Sequence, residues 1–148
     1  MNIDTLKLKN LRQIKFVKQG GFAKVYRVIN KSTKKEYAAK VFKFSVKADP
    51  TIELVFLREV ICHSQVKNAT ITKFFGYNRH YLHHISRSVI FTEYVNKGDL
   101  KTLLANERKG KKNENWNDTQ KLIIIYGIAY GMLYLHSRLA LPSHSLAL

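Results

Sequence analysis

The chain opens in residues that alternate and closes in residues that recur every three or four. Residues 14–17 and 23–29 are short β-prone runs joined through Gln19-Gly20-Gly21, and in the second run Val25, Arg27 and Ile29 share one face by period-two alternation. NKSTKK, 30–35, is polar turn material, and EYAAKVFKF, 36–44, reads as a third strand. Asp49-Pro50 breaks that strand ahead of a helix over 51–66, where Ile52, Val55, Phe56, Glu59, His63 and Val66 recur at three and four. Two more strand-like runs, 72–77 and 88–94, flank a basic loop containing histidines. NKGDL, 96–100, turns the chain into a short helix ending near Glu107, and RKGKKNEN from Arg108 is a solvated loop. NDTQKLIIIYGIAYGMLYLHS follows, with Asn117 and Gln120 spaced as a capping pair; its length and apolar composition predict one long buried helix. Five short strands with one inserted helix, then helices, define an α+β arrangement.

Composition narrows the class. A length of 148 residues fits one ordinary domain, and 45% hydrophobic with 11% aromatic residues supports a packed core and excludes global disorder. The single cysteine, Cys62, excludes an intramolecular disulfide and a cysteine-built zinc site, and its place beside Ile61 predicts packing rather than redox chemistry. The first ten residues hold no apolar signal-like region, and the longest apolar run, 122–135, is shorter than the ~20 residues a bilayer requires. The expected location is the cytoplasm, with the nucleus second.

The net charge of +16 is large, and 13 of the 26 basic residues precede Thr51 against three acids. Such a field draws anions such as nucleotides, nucleic acid or an acidic membrane surface. No arginine-rich helix, CxxC pair or aromatic RNA-binding motif accompanies the charge. A solvated basic surface is therefore favoured over a dedicated nucleic-acid site. His80, His83 and His84 sit in a polar loop without a nearby carboxylate, so no metal site is assigned to them.

Chemistry concentrates on Gly20, Gly21 and Lys40. Phosphates are held where backbone N–H groups come close, in a tight turn free of bulky side chains. By itself a Gly-Gly hairpin is usually only a turn. Lys40 sharpens the reading, because it follows Ala38 and Ala39 in a strand that otherwise reads as sheet interior. An unpaired buried ammonium is costly, so Lys40 calls for a carboxylate, a phosphate or both. Glu59, on the apolar face of the next helix, is the candidate carboxylate; an edge-strand lysine reaching water is the alternative.

These stretches resemble the N-terminal lobe of a eukaryotic protein kinase. KQGGFAKV is similar to the family's Gly-rich loop, YAAK to its lysine strand, and LREV to the helix segment whose glutamate pairs with that lysine. VIFTEYVNKGDL looks like the fifth strand, gatekeeper and hinge, and IIIYGIAYGMLYLHS like the long helix leading to the catalytic loop. The resemblance runs from about 11 to 137, and its wording is nearest the tyrosine-kinase-like serine/threonine kinases. It implies a kinase-like N-lobe at 11–95 (a five-stranded antiparallel sheet plus one helix), the hinge exit and first C-lobe helices at 96–137, and a tail at 138–148 that matches no family segment. It also implies ATP as ligand. Gly20 and Gly21 lie in the phosphate loop, Val25 and Ala38 enclose the adenine, Lys40 holds the α- and β-phosphates, and Glu59 fixes Lys40. Thr92 takes the gatekeeper place, the backbone of Glu93 and Val95 meets the adenine edge, and Asp99 stands where a ribose contact is made. As a residue read without the family, Asp99 is equally a helix N-cap. His63 and Phe74 take places in the hydrophobic spine.

Departures from the family pattern matter as much. Lys18 and Ala23 replace the first and third loop glycines. After YLHS the chain reads RLALPSHSLAL, and neither His-Arg-Asp nor Asp-Phe-Gly occurs in it. The catalytic aspartate and the Asn and Asp that hold Mg²⁺ in intact relatives are thus missing, and no catalytic or metal-binding residue is assigned. A positioned base typically contributes ~10²–10⁴-fold, and Mg²⁺ supplies much of the charge stabilisation, so no useful phosphoryl transfer is expected from these residues alone. The alternatives are a non-catalytic, pseudokinase-like binding module and, less favoured, a basic nucleic-acid binder. With no lower lobe to cover it, the helix at 118–136 is expected to expose an apolar patch, to be met by another kinase, another protein or self-association.

Overall fold

The computed structural model describes residues 10–43, 50–79, 87–111 and 116–139. His80, His83 and His84 lie outside the described residues, as does the 140–148 part of the tail. The described chain falls into two units. One takes in the chain up to Lys67 together with Thr72–Val95, and the other Asn68–Ile71 with the chain from Asn96 onward.

The first unit holds strands β1 (Leu11–Gln19), β2 (Ala23–Asn30), β3 (Glu36–Phe42), β4 (Phe74–Asn78) and β5 (Val89–Glu93), with helix α1 (Pro50–Gln65) between β3 and β4. They form one five-stranded sheet in the order β1-β2-β3-β5-β4. Every neighbouring pair is antiparallel. This is the sheet-plus-helix arrangement expected from the sequence. β1 runs beyond its apolar run at both ends, and two register shifts, between Gln13 and Lys15 and between Phe16 and Lys18, step around Ile14 and Val17. Those two residues stay exposed, so period-two counting sees only the middle of the strand.

Packing on the two faces of the sheet differs. On one face Val28, Tyr37, Ala39, Val41, Val89 and Phe91 form a buried cluster. On the other, Phe42 and Ile90 of the sheet pack with Phe56 and Val60 of α1. The rings of Phe42 and Phe56 meet edge to face at 5.3 Å. Pro50 opens α1, where its fixed φ fits the first turn and its missing N–H leaves no donor stranded. The buried stripe of α1 keeps Ile52 and Phe56 of the expected set and adds Val60. Phe56 and Val60 are buried and Ile52 packs beside them, whereas Val55 and Cys62 are exposed. The packing role expected of Cys62 is therefore corrected: on this helix, positions 56 and 60 point to the sheet, and 62 is turned away.

The second unit contains α2 (Leu100–Arg108) and α3 (Asp118–Leu139). Asp99 caps α2, its Oδ1 accepting the Thr102 N–H at 2.8 Å. The helix closes at Gly110, with φ +68°, where the Gly110 N–H donates to the Glu107 carbonyl and the Lys111 N–H to the Asn106 carbonyl. That pairing requires a left-handed residue after the last turn, which glycine adopts without strain. Asn117 Oδ1 accepts the Gln120 N–H at 2.9 Å, so α3 starts where the capping pair places it. One face of α3 lies on Thr70: a Cβ added at Gly131 would come within 2.9 Å of the Thr70 hydroxyl oxygen, which itself bonds to Asn68 Oδ1. The reverse face is not buried. Leu122, Ile125, Tyr126 and Leu133, which share one side of the helix, are 63–73% exposed. Composition alone reads α3 as buried; Thr70 covers its glycine side, and the apolar residues opposite are exposed.

Candidate functional site: a lysine and a glutamate on one sheet face

Strand register decides which side chains can act together. Lys40 pairs with Val25 of β2 and with Ile90 of β5. Ala38 pairs with Arg27 and with Thr92 in the same two strands. Directly paired residues in an antiparallel sheet point the same way, as do residues two apart, so Val25, Arg27, Ala38, Lys40, Ile90 and Thr92 occupy one face. It is the face on which α1 packs.

Lys40 is a central-strand residue, flanked by β2 and β5, which removes the edge-strand alternative. Its Nζ donates to both oxygens of Glu59, at 2.6 Å each. Glu59 lies one position before the buried Val60 on α1, which carries the carboxylate to the sheet. The two side chains keep 37% and 30% of their surface open, so the ammonium is paired while one side remains reachable from solvent. The ring of Phe42 stands 5.6 Å from the same ammonium, a cation–π contact on the apolar flank.

Gly20 and Gly21 form the β1–β2 turn, which the Gly20 N–H closes by donating to the Ala23 carbonyl at 2.8 Å. Neither has the positive φ that would demand glycine. A Cβ at Gly20 would meet only the Ala23 carbonyl oxygen at 3.8 Å, and one at Gly21 would meet nothing within 4 Å. Packing inside the turn therefore leaves these two glycines unexplained, and what they leave is room beside the backbone.

The remaining candidates are distributed along β5 and beyond. Thr92 is half-buried beside Ala38. The Glu93 N–H donates to the Lys73 carbonyl at 2.8 Å, and Glu93 Oε2 accepts the Lys73 N–H at 3.3 Å. Val95 is exposed. Asp99 belongs to the second unit, where it serves as the N-cap of α2, the reading that needs no ligand. His63 and Phe74 lie together, their rings 5.7 Å apart. The His63 Nε2 meets the Thr72 carbonyl at 2.8 Å, which assigns the proton to that nitrogen, since a carbonyl only accepts.

One pair escaped sequence reasoning. Arg27 forms two hydrogen bonds to Glu36, which hold the guanidinium above its ordinary value, and Arg27 also lies over the Tyr94 ring at 5.3 Å. Only the β2–β3 register, which sets Ile29 against Glu36, could have exposed it. Among the described residues, no group of His, Cys, Asp or Glu could hold a metal ion.

The family whose sequences this arrangement matches is described as "Protein kinase domain", over residues 11–141. The chain belongs to the protein kinase domain family. It is similar to a probable leucine-rich repeat receptor-like protein kinase of Arabidopsis thaliana, 29% identical over 120 residues, covering 79% of this chain and 10% of that protein. The Aurora kinase of Yarrowia lipolytica is 28% identical over 120 residues, covering 81% of this chain and 30% of that one. Receptor-like kinase LIP1 of Arabidopsis thaliana is 30% identical over 131 residues, covering 88% and 19% respectively. The chain thus spans between about a tenth and a third of these relatives.

Proposed function

We propose that the α1-bearing face of the sheet is an ATP half-site. Lys40, steered by Glu59, receives the α- and β-phosphates; Val25 and Ala38 flank the adenine; Thr92 sits at the gatekeeper place; and the Glu93 and Val95 backbone meets the adenine edge. The observation that carries this reading is the Lys40–Glu59 pair, symmetric and partly open, on the face shared with Val25 and Ala38. A one-carbon side chain at Ala38 leaves space for a flat ring, and the room beside Gly20 and Gly21 suits a phosphate chain.

In longer relatives of this family the same half-site works with a catalytic aspartate, Mg²⁺ and a protein hydroxyl, and we take serine or threonine as the acceptor. The Mg²⁺ would be held by residues that follow YLHS in those relatives, not by any group assigned here. Residues 1–148 by themselves bind nucleotide and do not transfer its γ-phosphoryl group.

Thermal unfolding with and without ATP tests the proposal. At a ligand concentration a hundredfold above Kd, stabilisation is about 2.7 kcal/mol, a rise in Tm of several degrees. Lys40→Ala abolishes that rise. An unchanged ATP shift in Lys40→Ala contradicts the proposal. So does stabilisation by oligonucleotides with a steep salt dependence and none by ATP.

A further inference from the structure

A second cluster of cations lies at the far end of the β1–β2 ribbon from the glycine turn. Arg12, Ile29, Lys31 and Lys34 line a cavity of about 180 Å³. Arg12 pairs directly with Ile29, so their side chains rise from the same face. Ile29 is four residues along β2 from Val25, roughly 13 Å at the rise of a strand, so the cavity is separate from the Lys40 pair.

The β2–β3 turn holds the two lysines in place. Asn30 Oδ1 accepts the N–H groups of Ser32 and Thr33, at 2.9 and 3.0 Å. The Asn30 N–H donates to the Lys35 carbonyl, the Lys34 N–H to the Asn30 carbonyl, and the Lys31 N–H to the Asn10 carbonyl, each at 2.8 Å. Lys34 alone among the described non-glycine residues has a positive φ, +59°. The turn therefore keeps a lysine in a conformation that disfavours it.

Among the described residues, none of Arg12, Lys31 and Lys34 has a carboxylate partner, and the acid nearest the two lysines along the chain, Glu36, is committed to Arg27. Three like charges around one small concavity repel unless an anion joins them. The Arg12 fork suits phosphoryl oxygens, with the lysines as flanking point charges. Ile29 adds an apolar floor, of use to a carbon skeleton and of none to bare phosphate. A nucleic-acid strand needs a continuous groove, and these four residues bound only a small, half-open concavity at a hairpin end.

We propose that the concavity bounded by Arg12, Lys31 and Lys34 binds a small phosphate ester carrying two or more phosphoryl groups. The ester is either free in solution or the headgroup of a lipid. The test is calorimetric titration of the full chain with inositol trisphosphate. Phosphatidylcholine vesicles with and without phosphatidylinositol bisphosphate are tested alongside. Saturable one-to-one binding is expected. Arg12→Gln and Lys31→Gln should each weaken it about tenfold, the worth of one charge-assisted hydrogen bond.

Lys34→Gly should weaken binding as well while leaving Tm unchanged or higher, since glycine accepts the positive φ. Lys101→Gln, which removes one charge from α2, should leave affinity unchanged, and so should Lys40→Ala. Recruitment to the phosphoinositide vesicles identifies a lipid headgroup as the source; binding of the soluble ester without recruitment identifies a free one. Any of three results overturns the site: no saturable binding, an equal loss in Lys101→Gln, or loss in Lys40→Ala.

Discussion

Lys40 and Glu59 are each about one-third open to solvent, and exposed ion pairs contribute only ~0–1 kcal/mol to folding. Two hydrogen bonds of 2.6 Å from one ammonium to one carboxylate therefore hold a geometry more than they hold the fold. Lys40→Ala should lower unfolding stability by less than about 1 kcal/mol. Phe56→Ala, at a residue with no exposed surface, should cost about 3–5 kcal/mol. Denaturant melts of the two variants check the contrast, and a large loss in Lys40→Ala would mean that the pair is structural. Lys40 was legible in the sequence because a lysine after two alanines in an apolar strand demands a partner. Glu59 was legible because it adjoins the apolar stripe of the following helix. Arg27 and Glu36 were not, because two half-buried charges nine residues apart meet only once the hairpin register is known.

At the scale of elements, the succession of strands and helices along the chain followed from turn residues and apolar spacing, and what spacing left open was which side of a helix is held. In α1, Val55 and Phe56 both fit the apolar spacing, and only Phe56 is buried. In α3, apolar residues on every side concealed which face is held; the answer lies in Gly127 and Gly131, small enough for Thr70 to approach.

The tie between α2 and α3 was also invisible in the sequence. Lys121 Nζ donates to Glu107 Oε1 at 2.5 Å, and the Trp116 Nε1–H donates to Glu107 Oε2 at 2.9 Å. Lys121 first, and then Trp116, hold the Glu107 carboxyl below its ordinary value of 4.5, while Glu107 holds Lys121 above 10.5. A lowered carboxyl contributes stability above its unfolded value and loses it as pH falls through the folded one. A raised lysine contributes below its unfolded value and loses it as pH rises through the folded one. Emission from Trp116, the single tryptophan, should therefore be flat between about pH 5 and 10 and change on both sides. In Glu107→Ala the acid-side change should vanish. An acid transition that persists in that variant would assign it to another group.

The whole molecule carries +16 charges and a helix with one apolar side open. Among the described residues no helix is long and apolar enough to cross a membrane. An exposed apolar surface larger than ~300–600 Å² is unusual for a monomer. The chain is expected to associate through α3, with itself or with another protein. Sizing in detergent-free buffer should show a species larger than 17.2 kDa, and Leu122→Lys with Tyr126→Lys should return it to a monomer. A clean wild-type monomer contradicts this expectation.

Whether this face serves ATP depends on whether a nucleotide's phosphates come to rest against Lys40. An ATP derivative carrying an acyl phosphate at its terminus acylates whichever lysine its phosphates touch, and peptide mass spectrometry identifies that lysine. Preferential labelling of Lys40 that excess ATP suppresses is the predicted result. Labelling spread across the surface lysines in proportion to their exposure, and indifferent to ATP, would contradict it.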